Sequence, residues 1–443
     1  MMQWRVWLFA GILVVGSISG TAEAVIDVDV LLDALVKHGT LSADQAGTIR
    51  QQITENQESY YKDLGNAIVA APARNIAWKG DIRLRDEIRN REISGSGEAV
   101  DAHRQRIRFR YGFEANVSDH MKVNARLATG TSSTGGNGLT GDPVGTNQSF
   151  DTNFIKKNIS LDLANLEYMP EIPGVDHVKV TGGIMPNPLW GPGPLVWDGD
   201  LSMDGAALQM AHQVMEGTKL FYNGGVFVLD TGETQTPALW VSQGGVEWSP
   251  FPDADAEALK HFKLIGAIAY HDYQNVVAAG TDAGNDLIAR ETQNSALATD
   301  FNQINPTVEV RTSLAGVPVG TWFDWVHNTR APVDNDGFQI GLKAGKASKP
   351  LAVDDLVGWA REGIEGGYYF QQLERDAAFD EFVDSDFLDG GTSSRGHVFY
   401  VTVATLKHST AGVKYYVARE HDKAARDGKD HEDRIQLDWV TKF

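Results

Sequence analysis

The side chains that could do chemistry in this sequence are long cations spaced at every second position. Three arginines stand at positions 106, 108 and 110, with apolar residues between them. Successive side chains of a β-strand point to opposite faces, so these cations would share one face. The predicted charged wall consists of Lys79, Asp81, Arg83, Arg85, Arg106, Arg108, Arg110, Glu114, Lys122 and Arg126. Such a wall, lining a pore, would raise the local concentration of anions and orient dipolar solutes.

The same wall has a second, purely structural interpretation. In that interpretation the arginines pair with carboxylates and form a charge ladder. One acidic segment could supply the carboxylates Asp376, Asp380, Glu381, Asp384, Asp386 and Asp389. A basic wall that faces an acidic constriction loop would satisfy both interpretations.

A second candidate cluster lies in a segment too rich in proline and glycine to form a strand. Residues 187–194 read Asn-Pro-Leu-Trp-Gly-Pro-Gly-Pro, and residues 197–200 read Trp-Asp-Gly-Asp. This density of proline and glycine favours a loop of fixed shape. We expect either a surface loop or a constriction folded into the mouth of a barrel. The candidate constriction residues are Asn187, Trp190, Trp197, Asp198 and Asp200.

Motifs for catalysis and metal binding are missing from the sequence. There is no G-x-S-x-G or H-E-x-x-H motif, and the 12 histidines lack metal-ligand spacing. The segment Asp334–Gly337 lacks the rest of an EF-hand loop and reads better as a hairpin tip. We therefore expect no metal, no cofactor and no enzymatic activity. A net charge of −20 argues against nucleic acid as a partner, and the absence of cysteine excludes disulfides.

The elements that must position these residues are strands of unusual length. Residues 106–117 alternate between polar and apolar side chains over a dozen positions. Strands of soluble sandwiches usually run about 5–6 residues, whereas a tilted membrane strand needs about 9–11. About 16 such segments follow residue 74, including Thr307–Leu314, Val317–Asn328 and Val357–Leu373. The sequence therefore predicts an all-β fold, an antiparallel transmembrane barrel of about 16 strands.

Long and short connections between these strands mostly alternate, which predicts loops at one rim of the barrel and turns at the other. Both ends of the barrel would then lie at the periplasmic rim. The last strand is amphipathic and ends on Phe443. This ending resembles the signal that the barrel-assembly machinery of the outer membrane reads.

The first 73 residues differ from the rest of the chain. Residues 1–24 read as a signal peptide, because Arg5 precedes a short apolar run and Ala22-Glu23-Ala24 fits a cleavage site. Residues 25–73 show two short helical patterns and a linker, and we expect them in the periplasm. They would form either a plain helical hairpin or a docking and oligomerisation element. Residues 74–443 would form the barrel.

Two stretches resemble the putative bacterial outer-membrane porin family. Lys179–Pro188 reads Lys-Val-Thr-Gly-Gly-Ile-Met-Pro-Asn-Pro and is similar to the family's glycine-rich strand with Asn-Pro. Trp197–Leu201, followed by Asp204-Gly205, is similar to its Trp-Asp-x-Asp motif. The family often has Glu at the place of Asp204. The resemblance covers most of the mature chain in organisation and implies a passive outer-membrane channel.

Together these observations predict a porin in the outer membrane of a Gram-negative bacterium. Ions and small hydrophilic solutes would diffuse passively through a water-filled barrel whose wall is partly basic. The partners would be outer-membrane lipid and the barrel-assembly machinery, and a homotrimer is left open. Two other functions remain as alternatives. The barrel could sheath a partner such as an electron-transfer protein, or it could carry a hydrolase site.

Overall fold

Alternating side chains build long antiparallel strands, and the computed structural model joins them into one closed sheet. The described residues are 36–37, 42–44, 47, 75–93, 99–130, 143–150, 153–229, 236–276, 294, 301–350, 359–422 and 429–443. The strands in this part of the chain are β1 (Ile76–Ile93), β2 (Ala99–Ser118), β3 (Met121–Thr129), β4 (Gln148–Ser149), β5 (Ile159–Tyr168), β6 (His177–Pro186), β7 (Ser202–Met215), β8 (Thr218–Val228), β9 (Ala238–Trp248), β10 (Lys263–Gln274), β11 (Phe301–Leu314), β12 (Val317–Asn328), β13 (Asp336–Gly345), β14 (Ile364–Leu373), β15 (Ser394–Leu406), β16 (Ser409–Glu420) and β17 (Lys429–Lys442).

Each long strand pairs with its neighbours in the sequence, and the last strand pairs with the first. Strand β17 runs antiparallel to β1, with Lys442 opposite Asp81 and Arg434 opposite Arg89. The two-residue strand β4 pairs with β2 at Arg106 and Ile107, beyond the end of β3. Sixteen strands therefore form the wall, and the predicted 16-stranded antiparallel barrel is confirmed.

The observed strand ends differ from the predicted ends at a few places. The strand predicted at Val317–Asn328 has these bounds in the structure. The strand predicted at Thr307–Leu314 begins six residues earlier, at Phe301. The strand predicted at Val357–Leu373 begins at Ile364, because a π-helical turn occupies Trp359–Gly363. A one-turn helix, α1 (Glu257–Lys260), lies between β9 and β10.

The two faces of the barrel separate by residue type, as β1 illustrates. Asp81, Arg85 and Glu87 are at most 6% exposed, whereas Leu84 and Ile88 are both 48% exposed. Apolar side chains therefore point outward and charged side chains point into the lumen. This is the arrangement of a membrane barrel with a polar interior.

Two loops at the same rim fold into the lumen. The inner loop, residues 187–201, joins β6 to β7, and the acidic loop, residues 374–393, joins β14 to β15. Apolar residues of both loops are buried in clusters with inward side chains of the wall. Phe379 of the acidic loop stacks on Tyr273, for example, with ring centroids 5.4 Å apart. The apolar core of this protein thus lies inside the barrel, around the two loops.

The segment before the barrel forms a separate compact unit, Met1–Asn75. Residues 36–37, 43–44 and 47 are helical. The predicted signal peptide and most of the predicted helical segment lie outside the described residues, so both stay predictions. Across the described ranges, no helix has the length and apolar character needed to cross a membrane.

Candidate functional site

The lumen wall formed by β1 and β2 carries a dense cluster of charged side chains. Arg83 lies opposite Arg108 across the two strands, and Arg85 lies opposite Arg106. Like charges in directly opposite positions destabilise a sheet unless carboxylates separate them. Asp81 supplies one such carboxylate, 3.0 Å from the Arg108 Nη2 and 2.6 Å from the Arg110 Nε.

The inner loop brings a second carboxylate to this wall. Asp200 accepts a hydrogen bond of 2.6 Å from the Thr146 hydroxyl and lies 3.2 Å from the Arg108 Nη1. The Arg110 Nη1 lies 3.5 Å from the Asp200 carboxylate, and the Arg83 Nη2 lies 3.9 Å from it. Burial alone would raise the pKa of Asp200, but the guanidinium groups of Arg108 and Arg83 hold it below its usual value. Asp200 is therefore a permanent anion that ties the loop to the wall.

The acidic loop contacts the same wall closer to the rim from which both loops start. Asp386 lies 2.8 Å from the Arg85 Nη1, and Asp389 lies 2.8 Å from the Arg89 Nη1. Arg434 of β17 contacts both carboxylates, at 3.5 Å and 3.3 Å. Burial opposes ionisation of Asp386, yet Arg85 and Arg434 hold its pKa well below the usual range. The predicted basic wall thus faces two loops that carry carboxylates.

The remaining members of the predicted wall lie apart from this cluster. Lys79 pairs with Glu114 at 2.7 Å, and both side chains are well exposed. Lys122 lies beside the turn between β2 and β3, opposite Asn116. Arg126 forms an ion pair with Asp162 of β5. Within the described ranges, no group of histidine, aspartate and glutamate could hold a metal ion.

Amide side chains on the lumen wall hold the inner loop in place. Gln243 of β9 accepts a 2.8 Å hydrogen bond from the backbone N–H of Trp190 and donates one of 2.7 Å to its carbonyl. Gln209 of β7 donates to the Pro188 carbonyl at 2.9 Å. Asn187 shapes the loop itself, because its side chain accepts from the Leu189 N–H at 2.9 Å.

The sequence analysis included Asn187 but missed Gln209 and Gln243. The sequence gives one sign of such a residue. It is a single amide side chain at an inward position of a strand, while the inward positions on either side of it hold small or apolar residues. Gln243 illustrates it, because it stands between Val241 and Gly245 on the inward face of β9. An isolated amide is a weak pattern in a single sequence, since many lumen positions of a barrel are polar.

The two loops are joined to one another through Asp198. Its side chain accepts hydrogen bonds from the Ser385 N–H at 2.9 Å and from the Ser385 hydroxyl at 3.0 Å. Its backbone N–H donates to the Phe382 carbonyl at 2.7 Å, and the neighbouring Trp197 ring stacks on Phe382. Burial, with the nearby Asp384 carboxylate, raises the pKa of Asp198 to about 7. This loop junction fixes how the lumen is narrowed.

A cavity of about 420 Å³ lies between the inner loop and the lumen wall. Arg110 and Arg126 line one side of it, and Asn305 and Asp324 line another. Pro186 and residues of the inner loop contribute most of the rest. Sites for small molecules commonly have volumes of about 300–1,000 Å³. The constricted part of the lumen therefore has room for a small solute.

Phe443 lies where the barrel closes on itself. Its backbone N–H donates to the Gly80 carbonyl at 3.0 Å, and its carbonyl accepts from the Gly80 N–H at 2.8 Å. Its ring is 55% exposed on the outer face and stacks near Tyr111, beside Trp78. Aromatic groups in such positions are typical of the interfacial girdles of membrane barrels.

Comparison with known proteins agrees with this geometry. The chain resembles OprB of Pseudomonas putida in its high-pH structure, with a TM-score of 0.50 and 10% identity over 84% of this chain and 95% of OprB. It also aligns with Salmonella typhi OmpF bound to daunomycin, with a TM-score of 0.47 and 9% identity over 83% of this chain and 97% of OmpF.

At these identities the likeness to OprB concerns the fold alone. No curated protein matches the sequence. The sequence model of the family described as putative porin matches residues 96–320 and 328–443, which is most of the chain. The protein therefore belongs to the putative porin family.

Proposed function

We propose that ions and small hydrophilic solutes cross the outer membrane by passive diffusion through this lumen, past the inner loop. A porin of this family is an outer-membrane channel. The observation that carries the proposed route is the arrangement of the lumen itself. A closed 16-stranded wall is wide enough for an aqueous channel, and the two loops narrow it beside a row of arginines.

A modest preference for anions belongs to the same proposal. Most arginines of β1 and β2 have a close carboxylate, but Arg106 lies 3.9 Å from Glu87. Its Nε is buried and finds no hydrogen-bond partner in the described part of the chain. Arg83 is likewise 3.9 Å from its nearest carboxylate, that of Asp200. The charges of these two arginines are thus the least neutralised on the wall, and they favour anions over cations.

Replacing Arg106, Arg108 and Arg110 together with Ser tests this preference. We expect reversal potentials in a salt gradient across a planar bilayer to shift towards cations, because three positive charges leave the lumen and Asp200 loses its ion pairs with Arg108 and Arg110. The control removes two positive charges outside the lumen, with Lys260→Ser and Lys407→Ser. Unchanged reversal potentials in the triple variant would refute the proposed role of the wall.

We further propose that the rim at which the barrel wall begins and ends faces the periplasm. Both Ile76 and Phe443 lie at the rim that carries short turns such as Asp119–His120, while the two long inward loops start from the other rim. Short periplasmic turns and longer outer loops are usual in bacterial barrels. Contact with the assembly machinery, a homotrimer and the absence of enzymatic activity stay predictions.

A further inference from the structure

The cavity under the inner loop has unlike charges on its two sides, and we propose that it binds small zwitterions, namely free amino acids. This inference rests on the proposed function, since the solute reaches the cavity only through an open lumen. It adds the class of solute. The carboxylate of the amino acid would face Arg110 and Arg126, and its ammonium group would face Asp324.

The cationic side of the cavity keeps hydrogen-bond donors for a ligand. The Arg110 Nε donates to Asp81 at 2.6 Å and its Nη1 to Asp200 at 3.5 Å, and the Arg126 Nε donates to Asp162. A guanidinium group has five N–H donors in a planar fork. Two carboxylates therefore hold Arg110 and one holds Arg126, while the remaining N–H groups of both side chains are left to meet a carboxylate.

The acidic side is a carboxylate with neutral partners. Asp324 is 4% exposed and accepts hydrogen bonds from Asn305 at 2.7 Å and from Thr307 at 2.6 Å. Among the described residues, no lysine, arginine or histidine lies within ion-pair distance of it. A buried charge is costly unless it is paired. An ammonium group in the cavity would supply the missing countercharge.

The two sides lie across the barrel from each other. Strands β2 and β3, which carry the arginines, are separated from β11 and β12 by about half of the 16-stranded circuit. The resulting field points across the lumen and orients a dipolar solute. A simple anion or cation is attracted to one side of this cavity only, whereas a zwitterion carries a charge that is attracted to each side.

The test compares entry of L-alanine and of lactamide into liposomes that contain the full chain. These isomers have the same atoms, but only alanine is a zwitterion. We expect protein-dependent swelling with alanine to be about tenfold faster, the lower end of what charge focusing gives. Asp324→Asn should reduce the alanine rate to that of lactamide. The matched control is Glu365→Gln, a lumen-facing carboxylate of β14 that does not line the cavity, and it should leave the ratio unchanged.

The outcomes separate the two proposals. Potassium chloride conductance with equal rates for the two isomers, or with faster lactamide, overturns zwitterion binding and leaves the channel intact. Absence of both conductance and solute entry overturns the channel itself. If Asp324→Asn does not fold, the wild-type ratio still decides, and Arg126→Gln provides a second variant. That variant removes one positive charge from the cationic side of the cavity and should bring the alanine rate closer to the lactamide rate.

Discussion

At the scale of single residues, Asp198 controls how firmly the two inward loops hold together. A freely exposed aspartate has a pKa of about 3.9. Burial and Asp384 raise the pKa of Asp198 to about 7 in the packed loops, so the packed state binds a proton that the released loops give up. Packing is therefore strongest at low pH. It weakens as the pH rises from about 4 to 7 and changes little above that range.

Current recordings at pH 5 and pH 8 measure this effect. We expect larger fluctuations of the open-channel current at pH 8 in the wild type, because an ionised Asp198 beside Asp384 loosens the loop junction. Asp198→Asn imitates the protonated form, so its open-channel current should show small fluctuations at both pH 5 and pH 8. The control is Asp255→Asn in an exposed turn. If wild type and Asp198→Asn respond alike to pH, another group governs the junction.

At the scale of elements, the inner loop depends on the strand that supports it. Gln243 forms two hydrogen bonds with the Trp190 backbone. The Gln243→Ala variant would leave the Trp190 N–H, the Trp190 carbonyl and the Asn223 side-chain amide without this partner, at about 1–3 kcal/mol for each group that stays buried. We expect a mobile loop, seen as faster amide hydrogen exchange over residues 187–201 and a noisier current. Gln274→Ala, at an exposed site, should leave both unchanged. Equal exchange in the two variants would contradict the account.

The same elements show what can be predicted from the sequence. Alternation predicts strands well where inward and outward residues differ clearly, as in Val317–Asn328. It failed at the start of β11, where Asn302, Gln303 and Asn305 are polar and Pro306 cannot donate to the ladder. Gln303 is polar because it holds the acidic loop, donating to the Ala377 carbonyl at 3.1 Å. Side chains that bind inward loops thus interrupt the pattern that identifies strands.

At the scale of the whole molecule, charge is balanced between segments far apart in the sequence. Arg85 of the first strand meets Asp386 of the acidic loop and Asp438 of the last strand. The sequence shows the cations and the acids, and closure of the barrel decides which of them meet. The position of the cavity follows from closure too, because Arg110 and Asp324 belong to strands that lie across the lumen. Neither these ion pairs nor the position of the cavity can be predicted from a local sequence pattern.

The central claim is that solutes pass through the lumen beside the inner loop. The chain has no cysteine, so a single cysteine can be placed without background. Asn305→Cys lies in the lumen cavity, and Ile304→Cys, its neighbour, points to the lipid with 38% of its side chain exposed. A charged thiol reagent should lower the planar-bilayer current of open Asn305→Cys channels and leave that of Ile304→Cys unchanged. A current that the reagent does not affect in Asn305→Cys would contradict passage through this lumen.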